Sequence, residues 1–317
     1  MNSTSDSALD YRCGPGLDGL HQEYVKVHGW ASLLVCSFGS IANTLNIAVL
    51  SRREMSSPTN AILTGLAVAD LLVMLEYIPY ASHMYLYHRS RKNTYTYGWA
   101  VFVLIHSIFT QVCHTISIWL TVTLAIWRYI AVAYPQNNRE WCNFRRTVMA
   151  IASAYIMCPL ICLPVYFTTQ VTSKIEAVNS NGNSVNISVY NGTEMLKNET
   201  LWFVDLSETM KNHGLLNLMN LWMYSVVIKL VPCLALTILS LRLILALLKA
   251  KKRQKLLTSS NVFRSSEENA ERQTDRTTRM LLAVLLLFLL TEFPQGVLGL
   301  LSVILGTGFF RTCYVKL

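Results

Sequence analysis

The chain contains six apolar stretches, each long enough to cross a lipid bilayer. They cover residues 30–50, 61–82, 99–133, 148–168, 216–248 and 280–306. A membrane-spanning helix needs about 20 mostly apolar residues, and in lipid an unbroken helix satisfies its own backbone hydrogen bonds. Only 14% of the residues are charged and the mean hydropathy is +0.36, whereas soluble domains carry about 25% charged residues. The sequence therefore predicts an all-α membrane protein surrounded by lipid.

The spans and the segments between them divide the chain into regions. We predict an extracellular tail at 1–29, a transmembrane bundle at 30–306, a glycosylated outer loop at 169–215, a third cytoplasmic loop at 249–279 and a last outer loop at 307–317. No cleavage site for a signal peptide follows a short apolar core near the start. The first span is therefore expected to act as the membrane signal.

Charge and glycosylation motifs predict the orientation. Lys and Arg collect after spans one, three and five, as in Arg52-Arg53 and Lys251-Lys252-Arg253, which places these loops in the cytoplasm and the N-terminus outside. Four N-x-S/T motifs fall in predicted outer segments, at Asn2, Asn186, Asn191 and Asn198. The net charge of +9 follows from these loops and does not indicate nucleic-acid binding. We expect a multi-pass protein of the plasma membrane.

One group of basic residues departs from this charge rule. Arg89, Arg91 and Lys92 lie in a predicted outer loop. They would repel basic ligands, attract acidic ones or simply be solvated, and we favour solvation.

Polar residues inside the spans mark candidate sites. Asp70 lies in an apolar run of span two, where a charge is costly and is a functional hypothesis by default. The alternative is a packing role in a polar seam. Span three carries a stripe of polar residues at steps that keep them on one helix face, namely Thr110, His114, Ser117, Thr121 and Arg128. We interpret the histidines His106 and His114 as helix-packing residues and not as metal ligands.

Several motifs resemble those of rhodopsin-like G-protein-coupled receptors in order and spacing. They are Asn43 within Gly39–Leu50, Met55 with Pro58-Thr59-Asn60, the run Leu66-Ala67-Val68-Ala69-Asp70-Leu71-Leu72, Trp127-Arg128-Tyr129, Pro232 and Pro294. The resemblance covers residues 30–306 and implies a rhodopsin-like helical bundle, with six of its seven helices present in this chain. It also implies a receptor that activates a heterotrimeric G protein, and not an enzyme.

The resemblance assigns two groups of residues. Asn43, Asp70 and Ser117 would form a hydrated pocket able to hold an allosteric sodium ion. Arg128 and Tyr129 would contact the G protein. Trp127 replaces the acid that usually restrains the arginine, and Asp275 or Glu271 would have to substitute.

The narrower resemblance concerns the outer half of the bundle. With Glu292-Phe293-Pro294-Gln295 and Trp127-Arg128-Tyr129, the chain resembles the invertebrate myosuppressin receptors, and beyond them the FMRFamide-like and sex-peptide receptor group. This implies an amidated neuropeptide ligand ending in Arg-Phe-amide. The residues expected at the ligand, from position alone, are Glu76, Tyr77, Tyr80, Gln111, His114, Trp222, Lys229, Glu292 and Gln295. The alternative for the charged members is that they form internal ion pairs. We favour Glu76 for the peptide arginine, and Glu292 with Lys229 as an internal pair.

The cysteines depart from the family pattern. The usual disulfide would start near Val103, and residues 169–215 contain no cysteine. Cys13 and Cys313 are the two cysteines that we predict to be extracellular. They either form a disulfide with each other or are free or differently paired. The remaining cysteines lie in helices or in the cytoplasm, where reduced thiols are ordinary.

The chain ends eleven residues beyond residue 306, before any seventh helix. We expect a truncated isoform or gene model, or a fragment. The alternative function is therefore a six-helix form that does not signal alone and interferes with the full-length receptor. A transporter is less favoured, because we find no internal repeats of the kind that transporters carry.

Overall fold

The computed structural model describes residues 14–87, 89–185, 196–212, 214–257, 283, 286–287, 290–305, 309 and 313–314. Within this part the long helices are α1 at Pro15–Leu50, α2 at Pro58–Ala81, α3 at Tyr97–Ala133 and α4 at Phe144–Ile161. The fifth, α5, consists of α-helix Gly214–Trp222, π-helix Met223–Leu230 and α-helix Val231–Leu257. The sixth, α6, runs through Leu290–Leu305.

Five of these helices are long and apolar enough to cross a membrane, and α6 is a shorter apolar helix in the described residues. The predicted helical membrane protein is therefore confirmed. Helix α1 begins at Pro15 and not near Trp30, because a proline in the first turn suits a helix start and the helix continues through its polar turns. Most of the predicted third cytoplasmic loop lies outside the described residues.

Local sequence explains where two helices begin. The Ser57 side chain accepts a hydrogen bond from the Asn60 amide, and Pro58 occupies the first turn of α2. The Asn143 side chain caps α4 in the same way through the Arg146 amide. A polar cap satisfies an amide that the first helical turn leaves unbonded, so both helix starts are encoded locally.

Helix α3 is the centre of the bundle. It packs against α2, α4 and α5, while α1 packs on α2. The buried core lies between α2, α3 and α4 and contains Ile62, Ala69, Ile116, Leu120, Ala154 and Cys158. A side chain at Gly39 would collide with Met74, since an added Cβ would lie 2.3 Å from its sulfur. Glycine therefore permits the close approach of α1 to α2.

A β-hairpin covers one end of the bundle, within the segment predicted as an outer loop. Strand β1, Thr169–Val178, pairs antiparallel with β2, Lys197–Leu206, in a continuous register from Thr169 opposite Leu206 to Val178 opposite Lys197. The hairpin contacts the start of α3, and we call this side the hairpin end. We predicted no strands in this segment, because residues 169–215 were interpreted only as a polar loop.

Candidate functional site

Helix α3 carries polar side chains that bond to different neighbouring helices along its length. Ser117 Oγ donates to Asp70 Oδ1 on α2 at 2.7 Å. Nearer the hairpin end, Thr110 contacts Glu76, also on α2, and His114 contacts residues of α5 and α6. Thr121 instead donates to the Ser117 carbonyl within α3. The stripe that the sequence predicted is therefore the surface where charged residues of the other helices find partners.

The Asp70 pocket holds two of its three predicted members together. The amide nitrogen of Asn43 donates to the Met74 sulfur at 3.6 Å and makes no hydrogen bond to Asp70 among the described residues. The expectation that Asn43 shares this pocket stays a prediction.

Glu76 forms the second site, near the hairpin end. Its Oε2 accepts hydrogen bonds from His106 Nδ1 at 2.5 Å and from Thr110 Oγ1 at 3.2 Å. Its Oε1 is buried and has no hydrogen-bond partner among the described residues. The sequence interpretation treated His106 as a packing residue and missed this contact, although its spacing of four from Thr110 put both on one face.

Aromatic rings surround this carboxylate. The Tyr80 ring stacks on His106 with centroids 4.0 Å apart, and the Tyr77 ring lies 5.5 Å from His106. The Tyr77 hydroxyl hydrogen-bonds His28 Nε2 of α1 at 3.0 Å. Tyr77 and Tyr80, both predicted ligand residues, therefore line the Glu76 site. His28 of α1 also lies there, although the sequence analysis did not connect α1 with this site.

Lys229 forms the third site, between α3, α5 and α6. Its ammonium donates to Glu292 Oε2 at 2.6 Å and to Gln295 Oε1 at 3.1 Å. His114 Nε2 lies 2.9 Å from the Lys229 nitrogen and 3.1 Å from Glu292 Oε1. The network therefore joins one side chain of α3, one of α5 and two of α6. Lys229 and Glu292 are only 2% and 5% exposed, and their charges cancel.

Two of the predicted ligand residues lie apart from these sites. Gln111 donates to Thr115 Oγ1 on its own helix at 3.3 Å. Trp222 is half exposed, whereas Lys229 is buried. The wide π-helical turns that begin at Met223 separate Trp222 from Lys229 along α5.

The opposite end of α3 differs from the family motif. The Trp127 indole, which replaces the acid, donates to Thr147 Oγ1 on α4 at 2.9 Å. Arg128 Nε is buried without a partner among the described residues. Tyr129 packs near Tyr134 with ring centroids 6.1 Å apart. The suggested substitutes Asp275 and Glu271 lie outside the described residues, so the restraint of Arg128 stays a prediction.

Basic residues between α2 and α3 hold the hairpin in place. Arg91 makes two hydrogen bonds to Glu176, at 2.8 and 3.0 Å, and Lys92 pairs with Glu199. The backbone adds a bond from the Trp202 amide to the Tyr95 carbonyl. Arg91 and Lys92 stay partly exposed, as the expectation of solvation implies, but both also form ion pairs that it did not include. Strand acids placed opposite them supply counter-charges that the loop sequence alone did not reveal.

The cysteines and glycosylation motifs are placed only in part. Cys313 is disulfide-bonded, and the other cysteines of the described residues are buried free thiols. The predicted partner Cys13 lies outside the described residues, as do Asn2, Asn186 and Asn191. Asn198 lies on β2 and is exposed. The pairing and the glycosylation stay predictions.

The Lys229 network gives the first testable prediction. Glu292→Gln leaves the Lys229 ammonium buried without a counter-charge, so we expect the free energy of unfolding to fall by about 3–5 kcal/mol. The double variant Lys229→Met/Glu292→Leu, which removes both charges, should regain most of this loss. Thermal unfolding in lipid nanodiscs measures the change. Glu23→Gln, which breaks an exposed pair with Lys26, is the control, and an unchanged melting temperature for Glu292→Gln would contradict the pairing.

The second prediction concerns the pH dependence of the hairpin. The hydrogen bonds from Arg91 hold the pKa of Glu176 below its usual range, which is roughly 4.3 for an unperturbed glutamate. A lowered pKa in the folded state means that the pair stabilises the hairpin above the unfolded value and stops doing so as the pH falls through the lowered value. Spin labels at Ile175 and Ser107, read by pulsed electron resonance, should give one distance at neutral pH and a second population in acid.

Three variants test the same pair at neutral pH. Glu176→Gln should show the second distance, whereas the swapped pair Arg91→Glu/Glu176→Arg should restore the first. Glu23→Gln, which breaks a pair within α1, should leave the distance unchanged. A single distance in Glu176→Gln at every pH would show that Arg91 does not hold the hairpin.

Comparisons with known proteins agree with this arrangement. A family model described as serpentine type 7TM GPCR chemoreceptor Srw matches residues 30–315. The sex peptide receptor of Drosophila melanogaster is 30% identical over 96% of this chain and 64% of its own length. The G-protein coupled receptor dmsr-1 of Caenorhabditis elegans is 28% identical over 88% of this chain and 59% of its own length.

A third relative, the FMRFamide receptor of Drosophila melanogaster, is 24% identical over 82% of this chain and 43% of its own length. The chain thus spans less than two thirds of the length of the relatives it matches. The matched region includes all the long helices from α2 to α6. The chain therefore belongs to the serpentine seven-transmembrane family of G-protein-coupled receptors, and it is a multi-pass membrane protein and not an enzyme.

Proposed function

We propose that the chain is a plasma-membrane neuropeptide receptor that binds an amidated peptide ending in Arg-Phe-amide, of the myosuppressin type, and activates a heterotrimeric G protein. The N-terminus and the hairpin end face the outside in this proposal. The relatives support the peptide class, since one is named for the sex peptide and another for FMRFamide. The buried Glu76 carboxylate is the single observation that favours a cationic peptide.

The distribution of charges in the bundle favours Glu76 as the partner of the peptide arginine. Lys229 and Glu292 neutralise each other, so Glu292 has no charge left for a ligand. Glu76 has two hydrogen-bond donors, His106 and Thr110, and both bond to its Oε2. A guanidinium binds carboxylates through paired hydrogen bonds, and the unpartnered Oε1 would accept one of them.

The surroundings of Glu76 suit the phenylalanine that follows the arginine in a peptide ending in Arg-Phe-amide. Tyr77 and Tyr80 present aromatic rings beside the carboxylate, and aromatic pairs add stabilisation beyond the buried area. The peptide phenylalanine would pack against these rings. The peptide arginine would therefore contact Glu76, and the peptide phenylalanine would contact the rings of Tyr77 and Tyr80 beside it.

The opposite end of the bundle would contact the G protein. Arg128 and Tyr129 lie there, and Arg128 Nε has no partner among the residues that the structure describes. Trp127 bonds to α4 instead of to its neighbour. We therefore propose that Arg128 is held at rest by packing, and not by the adjacent residue.

Replacing the carboxylate tests the peptide contact. In the receptor expressed from its complete coding sequence, Glu76→Gln should weaken binding of an Arg-Phe-amide peptide by more than tenfold, because losing a buried charge partner costs about 2–5 kcal/mol. A peptide with citrulline in place of arginine should lose much less. Thr110→Val, which removes one hydrogen bond to Glu76 but no charge, should have a smaller effect. Equal losses for both peptides would show that Glu76 maintains the receptor's shape and does not contact the arginine.

A second candidate function is allosteric regulation by sodium at Asp70. The contact between Ser117 and Asp70 brings two oxygen atoms together inside the bundle. The side-chain oxygen of Asn43 would be the third ligand, since only its amide nitrogen bonds to Met74. Bound there, the ion would neutralise the Asp70 carboxylate between α2 and α3.

Removing the charge of Asp70 tests the sodium proposal. Asp70→Asn should abolish the dependence of agonist affinity on sodium, with potassium at equal ionic strength as the control. Ser117→Ala should weaken the dependence, because it removes one oxygen and keeps the carboxylate. An unchanged sodium response in Asp70→Asn would contradict this site.

A further inference from the structure

A separate cavity lies at the hairpin end, between the end of α4, the base of the hairpin and the start of α5. Its volume is about 600 Å³, within the range of small-molecule sites. The described residues that line it include Phe167, Ser207, Leu216, Met219, Asn220 and Met223. None of these belongs to the Glu76, Lys229 or Asp70 sites.

One wall of the cavity is a single face of α5. Leu216, Met219, Asn220 and Met223 follow at steps of three, one and three, which places them on the same side of a helix. The described lining contains no Asp, Glu, Lys, Arg or His. A charged occupant would lose its hydration there without compensation, so the occupant must be neutral and mostly apolar.

Asn220 is the exception on this apolar wall. It is only 9% exposed, and its Oδ1 is buried without a hydrogen-bond partner among the described residues. Leaving a buried amide oxygen unpaired costs about 1–3 kcal/mol. Because Asn220 lines the cavity, a hydroxyl group of the occupant is a neutral partner for this amide.

We propose that this cavity binds a neutral membrane lipid whose head group ends in a hydroxyl, a sterol or a diacylglycerol. The hydroxyl donates to the Asn220 side chain, and the apolar body packs along Leu216, Met219 and Met223. Methionine suits such a surface because its flexible thioether adapts to the shape of its contact. Met223 is also the first residue of the π-helical segment that carries Lys229, so the lipid contacts the element that positions the Lys229 network.

Photolabelling tests the site in the full chain, reconstituted in phosphatidylcholine vesicles. Two probes distinguish the sources of the hydroxyl, a photoreactive cholesterol analogue and a photoreactive diacylglycerol. Mass spectrometry should locate the label of at least one probe on residues 164–170 or 207–223. The methyl ether of the same probe, which cannot donate a hydrogen bond, should label roughly three- to tenfold less, the factor of one buried hydrogen bond.

Matched variants separate the cavity from the general lipid surface. Met219→Trp fills the cavity and should abolish the label, whereas Leu218→Trp changes the neighbouring exposed side chain, which does not line the cavity, and should not. Asn220→Leu should remove the preference for the hydroxyl over the ether, and Asn46→Leu on exposed α1 should keep it. Equal labelling of Met219→Trp and Leu218→Trp, or label spread along α1, would overturn the proposal. Peptide binding through Glu76 is measured separately and does not decide this result.

Discussion

The structure depends on the cost of a charge inside an apolar bundle. A buried ionisable group needs a partner, and the acids of α2 and α6 and the lysine of α5 all find theirs through α3 or through each other. Lys229 shows this most clearly, because its ammonium donates to two side chains of α6 and lies beside His114 of α3. The central position of α3 and the pairing of the buried charges therefore depend on each other.

The sites along α3 differ in how far their charges are compensated. The Lys229 and Glu292 pair is complete, so it fixes three helices relative to one another and offers nothing to a ligand. Glu76 accepts two hydrogen bonds on Oε2 and lies among aromatic rings, while its Oε1 has no partner among the described residues.

The hairpin end shows how other interactions replace a missing covalent bond. Family members hold the corresponding loop with a disulfide, whereas here Arg91 and Lys92 pair with Glu176 and Glu199. Exposed ion pairs contribute little individually, about 0–1 kcal/mol, but two pairs act beside backbone bonds and stacked rings. Arg91 also lies over the rings of Tyr95 and Phe203. This attachment depends on pH, which a disulfide would not.

The sequence by itself determined the helices, the polar face of α3 and the positions of the buried charges. These follow from apolar length and helical spacing, which are properties of one segment at a time. The contact between Ser117 and Asp70 and the pair of Lys229 and Glu292 were also within reach, because the family resemblance supplied the relative positions of the helices.

Only the tertiary structure decided which neighbours meet in each pair. The Asn43 amide bonds to Met74, His106 bonds to Glu76, and the basic residues between α2 and α3 pair with acids of the strands. Each outcome depends on the rotation of one element against another. The spacing of residues along one helix predicts which side chains share a face. Which residues of another element contact that face depends on how the two elements pack.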